Sequence, residues 1–415
     1  MSSRTPIATA DPPSHWREAH YQRNLWLLAV GQGLSRLGDG LYMAALVWTA
    51  WILTHSPQAV ALVTLAANVP AFAGSVIGAS FADRYDRRLI MIGCDIVRAL
   101  LVAPLVVLLH LGWLDITALT VVAALIALAG APFAPARNAL VPQIASAERL
   151  LVANGLLQVA FRSAFFVGPL LFAPLLDRLT LAGVFAVDAA TFLGSIVTLA
   201  ALRIDAPPSP PSRTSVWADL AAGWQALRGS VDVLVVIATF ILAILGASGF
   251  LTVGLPALVE TQLHSGAGVY GLLLGIAGLA EVAGALLLTR LPLRNLALSA
   301  VCAWAVLGVF RLPLGFISTL PAAAALLTLT GLASAVTDIP LIALVQARIP
   351  NQHLAKVLGL WEAGIAGAIA VAPPLAAVVL KEVGLAGGFA LSGVILIVLG
   401  AAAALVLARL PVRRH

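Results

Sequence analysis

Long apolar runs separated by short polar breaks organise this chain. They fall at 24–53, 57–81, 89–112, 116–136, 152–176, 181–202, 231–258, 268–289, 295–317, 320–346, 354–380 and 384–408. Each is long enough to cross a hydrocarbon core of ~30 Å as a helix rising ~1.5 Å per residue. Inside lipid a spanning segment must pair its own backbone groups, so every run is expected to be helical. The period-two alternation of a β-barrel is absent. The pattern therefore predicts an all-α integral membrane fold with twelve transmembrane helices.

The polar breaks carry an orientation signal. An even number of spans places both termini on one side. On that side fall Arg4, Arg17, Arg23, Arg84, Arg87, Arg88, Arg137, Arg149, Arg203, Arg213, Arg228, Arg290, Arg294, Arg348, Lys356, Arg409, Arg413 and Arg414. The other side holds only Arg178 and Lys381, while Arg36, Arg98, Arg162 and Arg311 lie within runs. So strong a bias predicts cytoplasmic termini by the positive-inside rule. Residues 1–23 are polar and contain prolines without an apolar core, so they read as a cytoplasmic tail and not a signal peptide. Residues 409–415 form the matching tail.

Composition agrees and excludes other classes. The chain is 61% hydrophobic and 10% charged, against about 25% charged in soluble domains. Its net charge of +6 is spread singly and forms no basic patch, which argues against nucleic acid. Cys94 and Cys302 lie far apart in apolar runs and suggest neither disulfide nor zinc site. No helix carries histidines at metal-ligand spacing, and no nucleotide-binding loop or hydrolase triad can be assembled. No enzyme, cofactor or metal is expected.

The polar stretch 203–230, with Pro207, Pro208, Pro210 and Pro211, divides the chain into six-span sets at 24–202 and 231–408. Its second part places Trp217, Leu220, Trp224 and Leu227 on one helical face, which suits an amphipathic helix on the inner leaflet or a connector packed on protein. The two sets repeat each other. At an offset of 204, Gly155 and Pro169 meet Gly359 and Pro373; at 206, Gly78, Arg84 and Arg88 meet Gly284, Arg290 and Arg294. Two pseudo-symmetric six-helix bundles about a midplane site are a known transporter architecture.

Charges inside the spans are the candidate chemistry, because an intramembrane charge is costly and usually faces a cavity or a partner. Asp39 lies about fifteen residues into the first run, and Arg36 precedes it by three on the same face. Asp39 is thus a proton or cationic-substrate site, or a structural pair with Arg36. Glu281 lies near the middle of the eighth run among Gly271, Gly275, Gly278 and Gly284, which allow close helix approach. It is a candidate proton carrier or a helix–helix hydrogen-bonding group. Glu362 and Gln158 correspond through the 204 offset, each several residues inside the cytoplasmic end of its span. Arg162 and Asp188 could pair across spans five and six, and Asp95 and Arg98 form an i,i+3 pair in span three.

The loop after span two reads Ala79-Ser80-Phe81-Ala82-Asp83-Arg84-Tyr85-Asp86-Arg87-Arg88. It resembles the cytoplasmic signature of the major facilitator superfamily, with Ala79 and Asp86 where glycines are usual. Its D-R-x-D-R-R form is similar to a subgroup that includes bacterial enterobactin and macrolide exporters. Gly38-Asp39-Gly40-Leu41-Tyr42, Pro135 to Leu140 and Asp188 to Phe192 resemble the same subgroup. The resemblance implies alternating access, with Asp83, Arg84, Asp86, Arg87 and Arg88 forming an intracellular latch and Asp39, Arg36, Glu281, Arg162 and Glu362 in or beside a central cavity. Gly168-Pro169 resembles an antiporter motif, although Phe172 and Ala173 replace its later glycines.

The function so implied is export of small amphipathic compounds, a drug or siderophore-like metabolite, by proton antiport across a bacterial inner membrane. Protons, the small-molecule substrate and the bilayer are the expected partners, and a monomer is expected. Two alternatives remain open: a proton-coupled importer of an organic anion using Arg36 and Arg162, and a non-transporting receptor or partner subunit.

Overall fold

The computed structural model describes residues 14–82, 85–145, 149–203, 216–290, 293 and 295–409. Helices account for the regular structure among the described residues. In chain order they are α1 (Ser14–Thr54), α2 (Pro57–Ala82), α3 (Arg87–His110), α4 (Ile116–Gly130), α5 (Phe133–Ile144), α6 (Leu150–Arg178), α7 (Leu181–Ala200), α8 (Val216–Arg228), α9 (Val231–Thr261), α10 (Ala267–Leu288), α11 (Leu296–Arg311), α12 (Leu320–Arg348) and α13 (Asn351–Arg409). By length and composition, nine helical stretches among the described residues suffice to cross a membrane, and Ile116–Ile144 counts as one of them.

Three element boundaries depart from the hydropathy pattern. First, α1 begins ten residues before its apolar run, because helix formation there does not depend on apolar periodicity. Second, the fourth run breaks between α4 and α5 at Pro132, which has no N–H to continue the ladder. Third, 354–380 and 384–408 join in the 59-residue helix α13, interrupted at Gly384 (φ 70°). Only glycine takes that left-handed conformation without a Cβ clash. Gly249 of α9 abuts Ala372 and Ile241 abuts Gly364, so α9 runs parallel to the first arm of α13. Gly246 abuts Ile395 and Gly254 abuts Phe389, so it runs antiparallel to the second. The chain therefore reverses at Gly384.

Buried apolar side chains fall into three cores. One belongs to the first set of helices at the end holding the termini and includes Leu28, Met91, Leu140 and Leu199. A second belongs to the later set at the same end and includes Phe240, Trp304, Leu344 and Trp361. The third lies at the opposite end and draws on both sets, from Leu46, Trp51 and Phe185 to Phe250, Leu258 and Phe389. Among the described residues, the two bundles thus share a core at the end remote from the termini and keep separate cores at the terminal end.

The linker helix α8 packs on protein. Leu227 is buried, and a carbon built on Gly223 would stand 2.7 Å from the Lys356 carbonyl oxygen at the start of α13. Trp224 stays 41% exposed under the Arg228 guanidinium. The side chains of Trp217 and Leu220 lie outside the described ones.

Candidate transport pathway

The closed end is built from aromatic and polar contacts between the two bundles. Trp48 of α1 stacks on Tyr270 of α10 with ring centroids 5.5 Å apart. Trp51 Nε1 donates to Glu260 Oε2 of α9 at 2.5 Å, and His55 Nδ1 lies 3.0 Å from the same oxygen. Gln58 Nε2 donates to the Ala377 carbonyl of α13 at 3.2 Å. Nothing in the apolar runs marked Glu260, because it ends α9 where a polar residue is unremarkable.

Glu260 is 38% exposed, so its contact with His55 is worth about 1 kcal/mol or less. We expect Glu260→Ala to loosen the closed end by that amount. In a chain carrying Cys94→Ser, Cys302→Ser and Ser248→Cys, a membrane-impermeant maleimide added at the closed end should label up to about fivefold faster. An unchanged rate would mean that Trp48 and Tyr270 close this end without the carboxylate.

Beneath this seal lies a cavity of about 390 Å³ between the bundles. Met43 and Val47 of α1, Phe166 and Pro169 of α6, and Leu251 and Leu274 of α9 and α10 form part of its apolar wall. Glu281 and Arg311 are the charged residues on it, and Arg311 donates from Nη1 to the Ala247 carbonyl at 2.8 Å. Close approach of α6 and α10 defines its edge, where Gly275 and Gly278 admit Leu170 and Phe166. Pro169 lines the cavity. Gly168 instead faces α1, where an added carbon would stand 2.6 Å from the Leu41 nitrogen.

A second cavity of about 300 Å³ adjoins the first within the later bundle, sharing Ile244, Glu281, Trp304 and Ser334 with it. Glu281, Asp338 and Glu362 reach it from α10, α12 and α13. Phe240 contacts the rings of Trp304 and Trp361 edge-on at 5.2 and 5.4 Å. The structure thus brings together Glu281 and Glu362, which were singled out separately, and adds Asp338.

Asp39 sits elsewhere, in a charge network between α1, α3 and α7. Its Oδ2 lies 3.2 Å from Arg36 Nη1, and its Oδ1 accepts from Arg98 Nη2 of α3. Arg98 also lies 3.6 Å from Asp95, which is wholly buried, and stacks on Phe192 of α7 at 4.1 Å. Asp188 is buried against Gly38 of α1. Arg36 caps the Phe161 ring at 3.6 Å, with Arg137 near it at 4.5 Å. Asp39 is not among the residues lining either cavity. The Arg162 side chain lies outside the described ones.

In the loop after α2, Asp83 and Arg84 lie outside the described residues. Asp86 caps α3, its Oδ1 accepting from the Arg88 and Leu89 amides at 2.8 and 3.2 Å. Arg88 Nη2 donates to the Ala200 carbonyl at the end of α7, where Arg23 Nη2 reaches the Ala201 carbonyl at 2.8 Å. Cations at a helix C-terminus answer its exposed carbonyls and dipole. Arg87 is buried.

Among the described residues no group of three or more His, Cys, Asp or Glu side chains is placed to hold a metal ion.

Comparison with known proteins places this geometry. A family model described as "transmembrane secretion effector" matches residues 18–415. The chain is 29% identical over 212 residues to an uncharacterised MFS-type transporter, YfiS, of Bacillus subtilis, which is 50% of each chain. It is 27% identical over 199 residues to the multidrug efflux pump Tap of Mycolicibacterium fortuitum, 46% of this chain and 48% of that one. It is 26% identical over 192 residues to macrolide efflux protein A of Streptococcus pyogenes, 46% of each. The chain spans about half the length of the curated relatives it matches. In fold it is similar to the nucleoside transporter NupG, with a TM-score of 0.71 and 14% identity over 94% of this chain and all of that one.

Proposed function

Because the chain belongs to the transmembrane secretion effector family of MFS-type transporters, and so is a multi-pass membrane transporter and not an enzyme, we propose that it exports small amphipathic compounds by proton antiport. The observation that carries this reading is the apolar cavity of about 390 Å³ between two bundles that share a core at one end only. Such a cavity shelters an apolar body, and rocking of the bundles about it exchanges which end is open. With the termini in the cytoplasm of a bacterial inner membrane, the open end faces inward and loads from the cell. The efflux activities named for the multidrug and macrolide relatives support that direction.

Glu281 is the proton carrier in this mechanism, since it borders both cavities. Asp39 positions α1 through Arg36 and Arg98. Asp83 and Arg84, with Asp86, Arg87 and Arg88, latch the cytoplasmic end when the pathway opens outward. Substrate is a drug or siderophore-like metabolite, and the working unit is a monomer. Arg36 is committed to Asp39 and Phe161, which weighs against its serving an organic anion.

The test is pH-dependent efflux of amphipathic dyes in everted vesicles, using cationic, neutral and anionic dyes. We expect the wild type to move dye against its gradient when the vesicle interior is acid. Glu281→Gln should remove this pH dependence and cut accumulation about tenfold, the loss of one charge-assisted contact worth ~1.4 kcal/mol. Asp39→Asn should lower accumulation while keeping the pH dependence. No flux of any dye, or an unaltered pH dependence in Glu281→Gln, would overturn this reading.

A further inference from the structure

We propose that Arg311 makes the central cavity a binding site for an amphiphilic acid: a carboxylate or similar oxyanion carried on an apolar body. The inference rests on the transporter reading and names the substrate class for it.

Arg311 ends α11 and is 7% exposed. A charge so buried is costly unless it is paired and hydrogen-bonded. A guanidinium carries five N–H donors in a planar fork. One of them, on Nη1, reaches the Ala247 carbonyl of α9 at 2.8 Å. Nε is buried with no hydrogen-bond partner. Among the described residues, no ion pair answers Arg311. The first bundle treats its arginines differently, since Arg36 and Arg98 both meet Asp39.

This side chain borders an open volume. Arg311 lies on the wall of the cavity of about 390 Å³ and is not on that of the smaller one. The larger volume lies within the range of small-molecule sites. Met43, Leu251 and Leu274 make its wall apolar. Ser248 and Thr252 also line it, but their hydroxyls donate within α9, to the carbonyls of Ile244 and Ser248. The guanidinium is therefore a polar donor set on an apolar surface. Its fork matches the two oxygens of a carboxylate, and the pairing is strongest where water is excluded.

The charge is not a property of the shared scaffold. At the 206 offset of the internal repeat, Arg311 corresponds to Leu105 of α3, which is wholly buried. Packing alone is thus served by an apolar side chain at this place in the first bundle. Because α11 runs toward the closed end, an acid held by Arg311 is the leading end of a molecule that enters from the open one.

The test is equilibrium binding of radiolabelled 1-naphthaleneacetate to the full chain in phosphatidylcholine nanodiscs, which carry no competing anionic lipid. Its neutral amide, 1-naphthaleneacetamide, has the same ring and nearly the same shape. We expect saturable binding of the acid, with the amide weaker by about tenfold or more. Arg311→Gln should weaken the acid by a similar factor and leave the amide unchanged. Arg311→Lys, which keeps the charge and loses the fork, should fall between. Leu274→Trp, which fills the cavity and keeps the charge, should weaken acid and amide alike. Elution as a single monodisperse species certifies the fold of each variant, and the comparison of acid with amide needs no variant. Equal binding of acid and amide by the wild type, or acid binding unchanged in Arg311→Gln, would overturn the proposal. Efflux of a cationic or neutral dye by a wild type that does not prefer the acid would sink this inference alone. Arginine-dependent binding of the acid without flux of any dye would sink the exporter reading alone.

Discussion

Arg98→Ala should strip most of the correctly folded protein from the membrane. Arg98 of α3 is only 11% exposed, bonds Asp39 of α1, lies 3.6 Å from the wholly buried Asp95 and stacks on Phe192 of α7. Removing the cation leaves acids with one arginine, Arg36, which reaches Asp39 alone at 3.2 Å. Breaking a buried pair by deleting one partner typically costs ~3–5 kcal/mol, a large fraction of the stability of most folds. The loss exceeds that of deleting Asp39, because Arg98 still has Asp95 in Asp39→Asn. The measurement is the midpoint of heat-induced loss of the monodisperse peak in size-exclusion chromatography. Arg98→Met combined with Asp95→Asn should recover part of the loss, since the wholly buried acid then carries no charge and Asp39 keeps Arg36. An unchanged midpoint for Arg98→Ala would mean that the arginine does not hold α1, α3 and α7 together.

The second large effect is expected at Gly168, and it concerns motion more than folding. A Cβ on Gly168 would stand 2.6 Å from the Leu41 nitrogen and 2.9 Å from the Gly40 carbonyl carbon, and nearer still to the Leu37 carbonyl oxygen. These are backbone atoms of α1, which cannot swing aside as a side-chain tip can. Gly168→Val must therefore push α1 and α6 apart beside Arg36 and Asp39, an overpacking worth ~1–3 kcal/mol. Both helices also line the central cavity through Met43, Val47, Phe166 and Pro169. We expect transport in everted vesicles to fall at least about tenfold, the factor that ~1.4 kcal/mol commands. Gly155→Val is the control, since Gly155 lies on the same helix with open space around its Cα. If both variants transport equally, the α1–α6 contact is not where the bundles' movement is set.

Much of the fold was legible because lipid imposes one rule on every spanning segment. Backbone pairing forces helix, and run length marks the segments able to cross. Gly384 shows the limit of that reading: a break near 380–384 is visible in hydropathy, but one glycine with positive φ suffices to reverse the chain. The family was legible in the loop from Ala79 to Arg88, and the family match over 18–415 agrees with it. Asp86 of that loop takes a local role as the cap of α3, which its place before Arg87 and Arg88 permits.

Partnerships among the intramembrane charges were only half legible. The pairs Arg36–Asp39 and Asp95–Arg98 follow from i,i+3 spacing and are present. The bond that ties them into one network, Arg98 to Asp39, joins residues 59 apart in sequence. It exists because α1 and α3 present those faces to each other. The same holds for Glu281, Asp338 and Glu362, which lie on three helices and share one cavity. Hydropathy and charge along the chain determined the class of fold, the helical rods and the candidate ionisable groups, since these depend on each segment's own transfer into lipid. Tertiary structure alone decided which acids Arg98 draws together and which share the cavity of the later bundle. Each residue turns a helix by ~100°, so pairing depends on how whole helices are rotated and crossed, and the one-dimensional pattern does not encode that.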